Sequence, residues 1–352
     1  MLYYWNVKLS WRFRVMSDLN INNITDRTGD SGPVFAGIST VSSTGAFTVP
    51  VGPTEFRGGR GRGVFAGSAT PSYTNVMDYV EIATTGNATD FGDLATTWYN
   101  AGGCASATRG IWFPGYDGST SVSSIYYVTI SSKGGVNDFG DTLNASRNHS
   151  GACSDSTRAV RAEGYNTVLS ARTNVLEFIT IASTGDSSEF GDLNRVVSDM
   201  AGTFASPTRG FFCGGKPETN IIDYITIQTK GNAIDFGDLI DGTRAEGSGS
   251  SNTTRGLCFG GSGPGANDTI QYITMATLGN AVDFGNLSNS VEAAGACASS
   301  TRGLLGGGTT PTKINNIDYV TISSAGNATD FGDRTTAGFG VAACSDVHGG
   351  LG

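Results

Sequence analysis

A phrase of acid, Phe and Gly recurs six times: Asp90-Phe91-Gly92, Asp138-Phe139-Gly140, Glu189-Phe190-Gly191, Asp235-Phe236-Gly237, Asp283-Phe284-Gly285 and Asp330-Phe331-Gly332. The steps between copies are 48, 51, 46, 48 and 47 residues. A period that steady marks a repeat architecture. It also argues against an active site, because a residue present in every copy serves geometry before chemistry. Within the copy that begins at Arg302, Arg302–Gly308 is an apolar run ending in a glycine turn, and Ile317–Ile322 alternates apolar and polar residues. The turn Ala325-Gly326-Asn327 leads to an outer strand at Asp330–Asp333, and Gly338–Cys344 is built of small residues suited to a crowded strand near an axis. Period-2 alternation, β-branched residues and glycine turns predict four strands and no helix per unit.

Arg-Gly or Arg-Ala pairs open a strand at Arg62, Arg109, Arg158, Arg209, Arg255 and Arg302, with a degenerate seventh start at His348-Gly349. Six outer strands with complementary half-units at the two ends predict a ring that opens midway through one unit and closes by completing it. The expected fold is all-β: a six-bladed β-propeller over residues 62–352, in which Gly338–Cys344 completes the sheet begun by Arg62–Gly67. A linear solenoid would need distinct capping units instead. The element order resembles the kelch repeat. The apolar run ends in a glycine pair at Gly214-Gly215, Gly260-Gly261 and Gly306-Gly307. A strand carrying Tyr79, Tyr127, Phe178, Tyr224, Tyr272 or Tyr319 follows, and the repeat Phe stands where kelch proteins usually place Trp. That resemblance implies a kelch-like architecture and no particular ligand.

With 15% charged and 38% hydrophobic residues and 52 glycines, the chain is too apolar for disorder and has no collagen period. A formal charge of -9 argues against nucleic acid as a partner. No apolar run approaches the roughly 20 residues of a membrane helix. Of the six cysteines, Cys104, Cys153, Cys297 and Cys344 occupy one slot of the repeat, filled by Phe204 and Ser250 in other copies. A slot that exchanges Cys with Phe and Ser holds a buried filler, so reduced thiols are expected.

Asp-Phe-Gly also occurs in protein kinases, but once, beside a catalytic His-Arg-Asp that this chain lacks. The mechanical expectation is that Phe plugs the space between sheets and Gly permits a tight bend. The carboxylates Asp90, Asp138, Glu189, Asp235, Asp283 and Asp330 are expected to form bidentate bridges with Arg109, Arg158, Arg209, Arg255 and Arg302 as staples between blades. Paired acids such as Asp90 and Asp93 do not follow a calcium-loop spacing. The two histidines, His149 and His348, have no neighbouring ligand cluster in sequence, so neither a metal nor a cofactor is expected. The chain is read as non-enzymatic.

Specificity in such a ring must come from the parts that do not repeat. Trp98-Tyr99 and Trp112 to Asp117 lie on two loops of one blade junction. Trp98, Tyr99, Trp112, Tyr116 and Asp117 are therefore candidates for an aromatic platform that would take a sugar or a protein surface.

Residues 1–16 read as a leader of uncertain structure, and residues 17–61 as a docking or oligomerisation arm too short to bury its own core. The phrases Asp26-Arg27-Thr28-Gly29, Gly32-Pro33-Val34-Phe35-Ala36-Gly37, Ser43-Thr44-Gly45-Ala46-Phe47 and Val49 to Gly63 are similar to head segments of virion proteins of marine tailed phages, particularly those of cyanobacteria. In those proteins a similar segment precedes Gly-rich Asp-Phe-Gly-Asp repeats. The resemblance implies a virion protein assembled in a bacterial host's cytoplasm, such as a tail, fibre or decoration component. It would be a homo-oligomer that binds other virion proteins through residues 17–61 and meets a host-surface glycan or protein. A carbohydrate-binding or depolymerising host-recognition protein is the alternative.

Overall fold

The computed structural model describes residues 61–70, 72–117, 122–146, 151–166, 169–240, 245–263 and 265–351. The leader, the arm before Gly61 and His149 lie outside the described residues. The remainder is all-β, a six-bladed propeller. In blade 4 the strands lie in the order Gly202–Ala205, Arg209–Cys213, Ile221–Thr226 and Ile234–Asp238, each antiparallel to the next. The small-residue strand is innermost, as its composition requires at a crowded axis. The chain then passes outward through the Arg-Gly strand and the tyrosine strand to the acid-Phe-Gly strand. Blades 2, 3, 5 and 6 repeat this order, with a short strand at Tyr165–Asn166 also bridging blades 2 and 3.

Blade 1 is assembled from both ends of the chain. Ala342–Ser345 pairs with Arg62–Thr70, in register Gly63↔Ser345 through Ala66↔Ala342. Closure by strand exchange is thus present, and the closing strand is shorter than the expected Gly338–Cys344. The seventh start is not a strand: His348 leads into a 3-10 turn at Gly349–Leu351.

Each acid-Phe-Gly phrase forms a β-bulge. In blade 4, Ile222 pairs with Gly237 and the next residue, Asp223, pairs with Asp235, so Phe236 is the extra residue. The same shift recurs at Met77/Asp78, Ile125/Tyr126, Leu176/Glu177, Ile270/Gln271 and Ile317/Asp318. A bulge re-aims side chains and sharpens twist. Here the Phe turns inward, each copy being 2–3% exposed, and meets the aromatic ring of its own tyrosine strand edge-on. Burying a Phe is worth about 2–3 kcal/mol.

The bulge also delivers backbone to the next blade. The Phe carbonyl accepts a hydrogen bond of 2.7–3.1 Å from the glycine amide of the neighbouring blade's turn: Gly134, Gly185, Gly231, Gly279, Gly326 and, closing the ring, Gly86. Two residues later a second carbonyl accepts at 2.7–3.2 Å, as Asp238 does from Ala281. In four seams the turn Asn (Asn87, Asn232, Asn280 or Asn327) accepts from the outer strand's amide at 3.1 Å. Six hydrophobic clusters fill the seams, one between each pair of blades.

All six cysteines are free and buried. The inner-strand thiols sit where the Arg-Gly glycine of the next blade leaves room: Cys297 against Gly63, Cys344 against Gly110 and Cys153 against Gly210, with Phe204 against Gly256 in the same role. Burial pushes the Cys104 and Cys297 thiols up to about 12, and raises Cys153, Cys213 and Cys344 well above the ordinary thiol range. A protonated, inaccessible thiol is a poor nucleophile. The native protein is expected to show almost no reaction with Ellman's reagent over minutes, and to titrate six thiols once denatured. Rapid native reaction of several thiols would contradict this packing.

Candidate functional site

The expected bridges between repeat arginines and repeat carboxylates are not formed. Asp90, Asp138, Glu189, Asp235, Asp283 and Asp330 are all exposed, and none takes part in an ion pair among the described residues. They pair across the bulge with the tyrosine strand, and that register turns them outward. Arg109, Arg158, Arg209, Arg255 and Arg302 lie instead over the aromatic ring of their own blade, at 4.5–4.8 Å. Each donates from its guanidinium to a carbonyl of the next blade at 2.8–3.0 Å: Ile181, Ile227, Met275, Ile322 and Ile82. Arg62 does the same over Tyr79 and to Ile130. The arginines do tie the blades together, through an aromatic ring and a backbone carbonyl.

The polar partners that sequence reasoning missed lie one residue before five of the six repeat aromatics. Asp78, Glu177, Asp223, Gln271 and Asp318 are buried, at 0–4% exposure. Each bonds to the chain leaving the previous blade's outer strand. Asp78 accepts from the Thr335 amide (3.0 Å), Glu177 from Leu143 (2.9 Å), Gln271 from Ile240 (2.8 Å) and Asp318 from Ser288 (2.9 Å). Asp223 accepts from the Asn194 side chain at 2.9 Å. Three of these seams include buried ion pairs, Arg161 with Glu177, Arg195 with Asp223, and Arg334 with Asp78. The sequence signal was an acid or Gln fixed before the aromatic on an alternating strand.

Blade 2 replaces that polar residue with Tyr126, and this explains the tryptophans. Trp98 packs on Tyr126 with ring centroids 5.3 Å apart, and both Trp98 and Trp112 are 0% exposed. They fill the seam between blades 1 and 2 with Met77, Phe91 and Val128. The predicted platform therefore loses both tryptophans to the core: where a compact hydrogen-bonded brace is missing, large aromatics occupy its volume.

Tyr99 and Tyr116 remain, half-buried on the face that carries the loops into the inner strands. Their backbones bridge each other, Tyr99 N to Tyr116 O at 3.1 Å and the reverse at 2.9 Å, which brings the two loops together. Asp117, also half-buried, follows directly on this bridge. Tyr99 stacks on Tyr73 (4.9 Å, 8°) and meets Tyr116 and Phe339 edge-on at 5.8 and 5.5 Å. Lys313 Nζ lies 5.1 Å from the Phe339 ring centre. Burial, with Tyr73 beside it, pushes the Tyr99 hydroxyl up to about 12, so it stays a proton donor through the physiological range.

Tyr99 and Phe339 of this cluster directly precede Asn100 and Gly340, which line the axial cavity together with Glu246 and the inner strands. Glu246, which leads into blade 5, pairs with Lys216 of the adjacent blade 4. Burial, then repulsion from Glu246, raises the Glu292 carboxyl. At the far end of the axis the C-terminal turn lies across the inner strands, with His348 Nε2 2.8 Å from the Ala105 carbonyl. Among the described residues no group of His, Cys, Asp and Glu is arranged to hold a metal ion, and no helix is long and apolar enough to cross a membrane. No protein-family model matches the chain, and no characterised protein matches it significantly.

Proposed function

We propose that this chain is a non-enzymatic virion structural protein of a tailed phage, a tail, fibre or decoration component. Residues 17–61 join it to other virion proteins, and the propeller projects as a rigid module. The observation that supports this reading most is the ring itself. Every seam repeats the same bulge, backbone staples and Arg-aromatic tie, so the repeated residues serve rigidity while variation is left to one loop-bearing face. The head-segment resemblance over residues 24–63 supplies the particle. Purified phage particles encoding the chain, analysed by mass spectrometry and labelled with an antibody to the propeller, should contain it in multiple fixed copies. The full chain should run as a homo-oligomer in light scattering. Particles without the chain would reject the proposal.

A second reading is favoured by the tyrosine cluster. An aromatic surface beside an open polar mouth suits contact with a host-surface carbohydrate, and this role is compatible with a place in the particle.

A further inference from the structure

The loop-bearing face carries an unusual collar. Asn100, Asp199, Glu246, Ala293 and Gly340 precede the inner strands of five blades and share a left-handed backbone, with φ of 59°, 54°, 52°, 53° and 71°. Their backbones form a chain around the axis. Glu246 N donates to Asp199 O (2.9 Å), Ala293 to Glu246 (2.7 Å), Gly340 to Ala293 (2.6 Å) and Asn100 to Gly340 (2.7 Å). The fold therefore imposes this conformation at each position. Glycine suits it best, and Gly340 shows that one blade uses glycine there. Side chains other than Gly, Asn or Asp rarely adopt it. Glu246 and Ala293 are such residues; Glu246 alone of the two adds a polar side chain to the cavity lining, and an observed outlier of this kind is grounds for a functional hypothesis.

We infer that the mouth of the axial cavity, lined by Asn100, Glu246 and Gly340 with Tyr99 packed beside Gly340, binds the terminal pyranose ring of a glycan end-on. The inference rests on the second reading above and specifies its ligand. A pyranose offers an apolar C–H face and a girdle of hydroxyls. It is recognised by an aromatic ring together with planar polar side chains that accept and donate hydrogen bonds. Tyr99, braced by Tyr73, Tyr116 and Phe339, supplies the ring and a hydroxyl that remains protonated. Asn100 and the Glu246 carboxylate supply the planar groups, with Lys216 holding Glu246 in place. Gly349 and Gly350 of the C-terminal turn pack against Asn252 and Ser154 across the other end of the axis. A blind cavity takes the end of a chain, so the terminal residue enters.

The test uses the full chain on immobilised oligosaccharides that end in hexose, N-acetylhexosamine or deoxyhexose. At least one terminal class should be retained. Glu246→Gly should weaken its retention tenfold or more, with Tm within about 2 °C of wild type, because glycine satisfies the left-handed backbone. Tyr99→Leu should weaken it similarly. The inference is overturned if no terminal pyranose is retained, if both variants retain it as wild type does, or if Glu246→Gly loses binding only in step with a fall in Tm. A chain found in particles that retains no glycan would reject this site alone. A glycan-binding chain absent from particles would reject only the virion assignment.

Discussion

Gly237→Ala should lower stability by roughly 3–5 kcal/mol, a Tm loss on the order of 10 °C for a domain of this size. Two independent costs meet at this residue. Its φ of 149° is a conformation that L side chains rarely adopt. A Cβ there would also stand 2.5 Å from the Gly279 carbonyl oxygen of the next blade. That neighbour is backbone and has no rotamer through which to escape. Retreat of the blade 5 turn would stretch the hydrogen bonds from Gly279 to Phe236 (3.1 Å) and from Ala281 to Asp238 (2.7 Å). Leaving a buried backbone group unpaired costs about 1–3 kcal/mol. Asp235→Asn is the matched control. Asp235 is exposed and outside any ion pair of the described residues, so its change should stay within about 0.5 kcal/mol. Thermal denaturation of both variants decides between two origins for the repeat. If Asp235→Asn melted early and Gly237→Ala with wild type, the carboxylates would hold the seams after all.

The contrast between these neighbours shows what was legible in the sequence. The period, the strand order and the closure by exchanged ends all followed from spacing and strand composition, because both are local or one-dimensional signals. The role of the acid did not follow. Asp235 and Arg209 recur together, and opposite charges in register invite a bridge. Whether they meet depends on the bulge, which turns Asp235 outward, and on Tyr224, whose ring takes the guanidinium at 4.8 Å. Conversely Asp223 occupies a polar position of an alternating strand, yet it is buried at 0% exposure and bonded across a seam. Alternation reports a polar face only when that face meets water, and in a propeller both faces of every sheet meet another sheet. Trp98 and Trp112 misled for the related reason that a departure from the repeat can repair packing. The collar of left-handed residues was invisible because backbone conformation at Glu246 leaves no mark in composition.

Removing residues 342–352 should cost far more than one short strand, with a Tm loss on the order of 15 °C or loss of a cooperative transition. Ala342–Ser345 is the inner strand of blade 1, and it lies in two seams at once. Ala342 and Cys344 pack with Met77, Trp98 and Trp112 toward blade 2. Ala343 packs with Cys297 and Leu304 toward blade 6. The same segment bonds Ser345 Oγ to the Ala298 carbonyl at 2.6 Å and receives the Arg62 amide on Asp346 at 2.8 Å. In a linear array, loss of a terminal strand weakens its own repeat and spares the rest. In a ring it opens the two seams on either side of blade 1, and Val64 and Phe65, now 0% exposed, face solvent. Calorimetry of the truncated chain measures the loss. Reactivity of Cys297 and Cys104, which flank the opened blade, reports where the ring parted. A synthetic peptide of residues 338–352 should restore Tm in a concentration-dependent way, since it binds only the folded ring. A truncated chain that melted within a few degrees of wild type, with its thiols still protected, would mean that closure contributes little and that the blades stand independently.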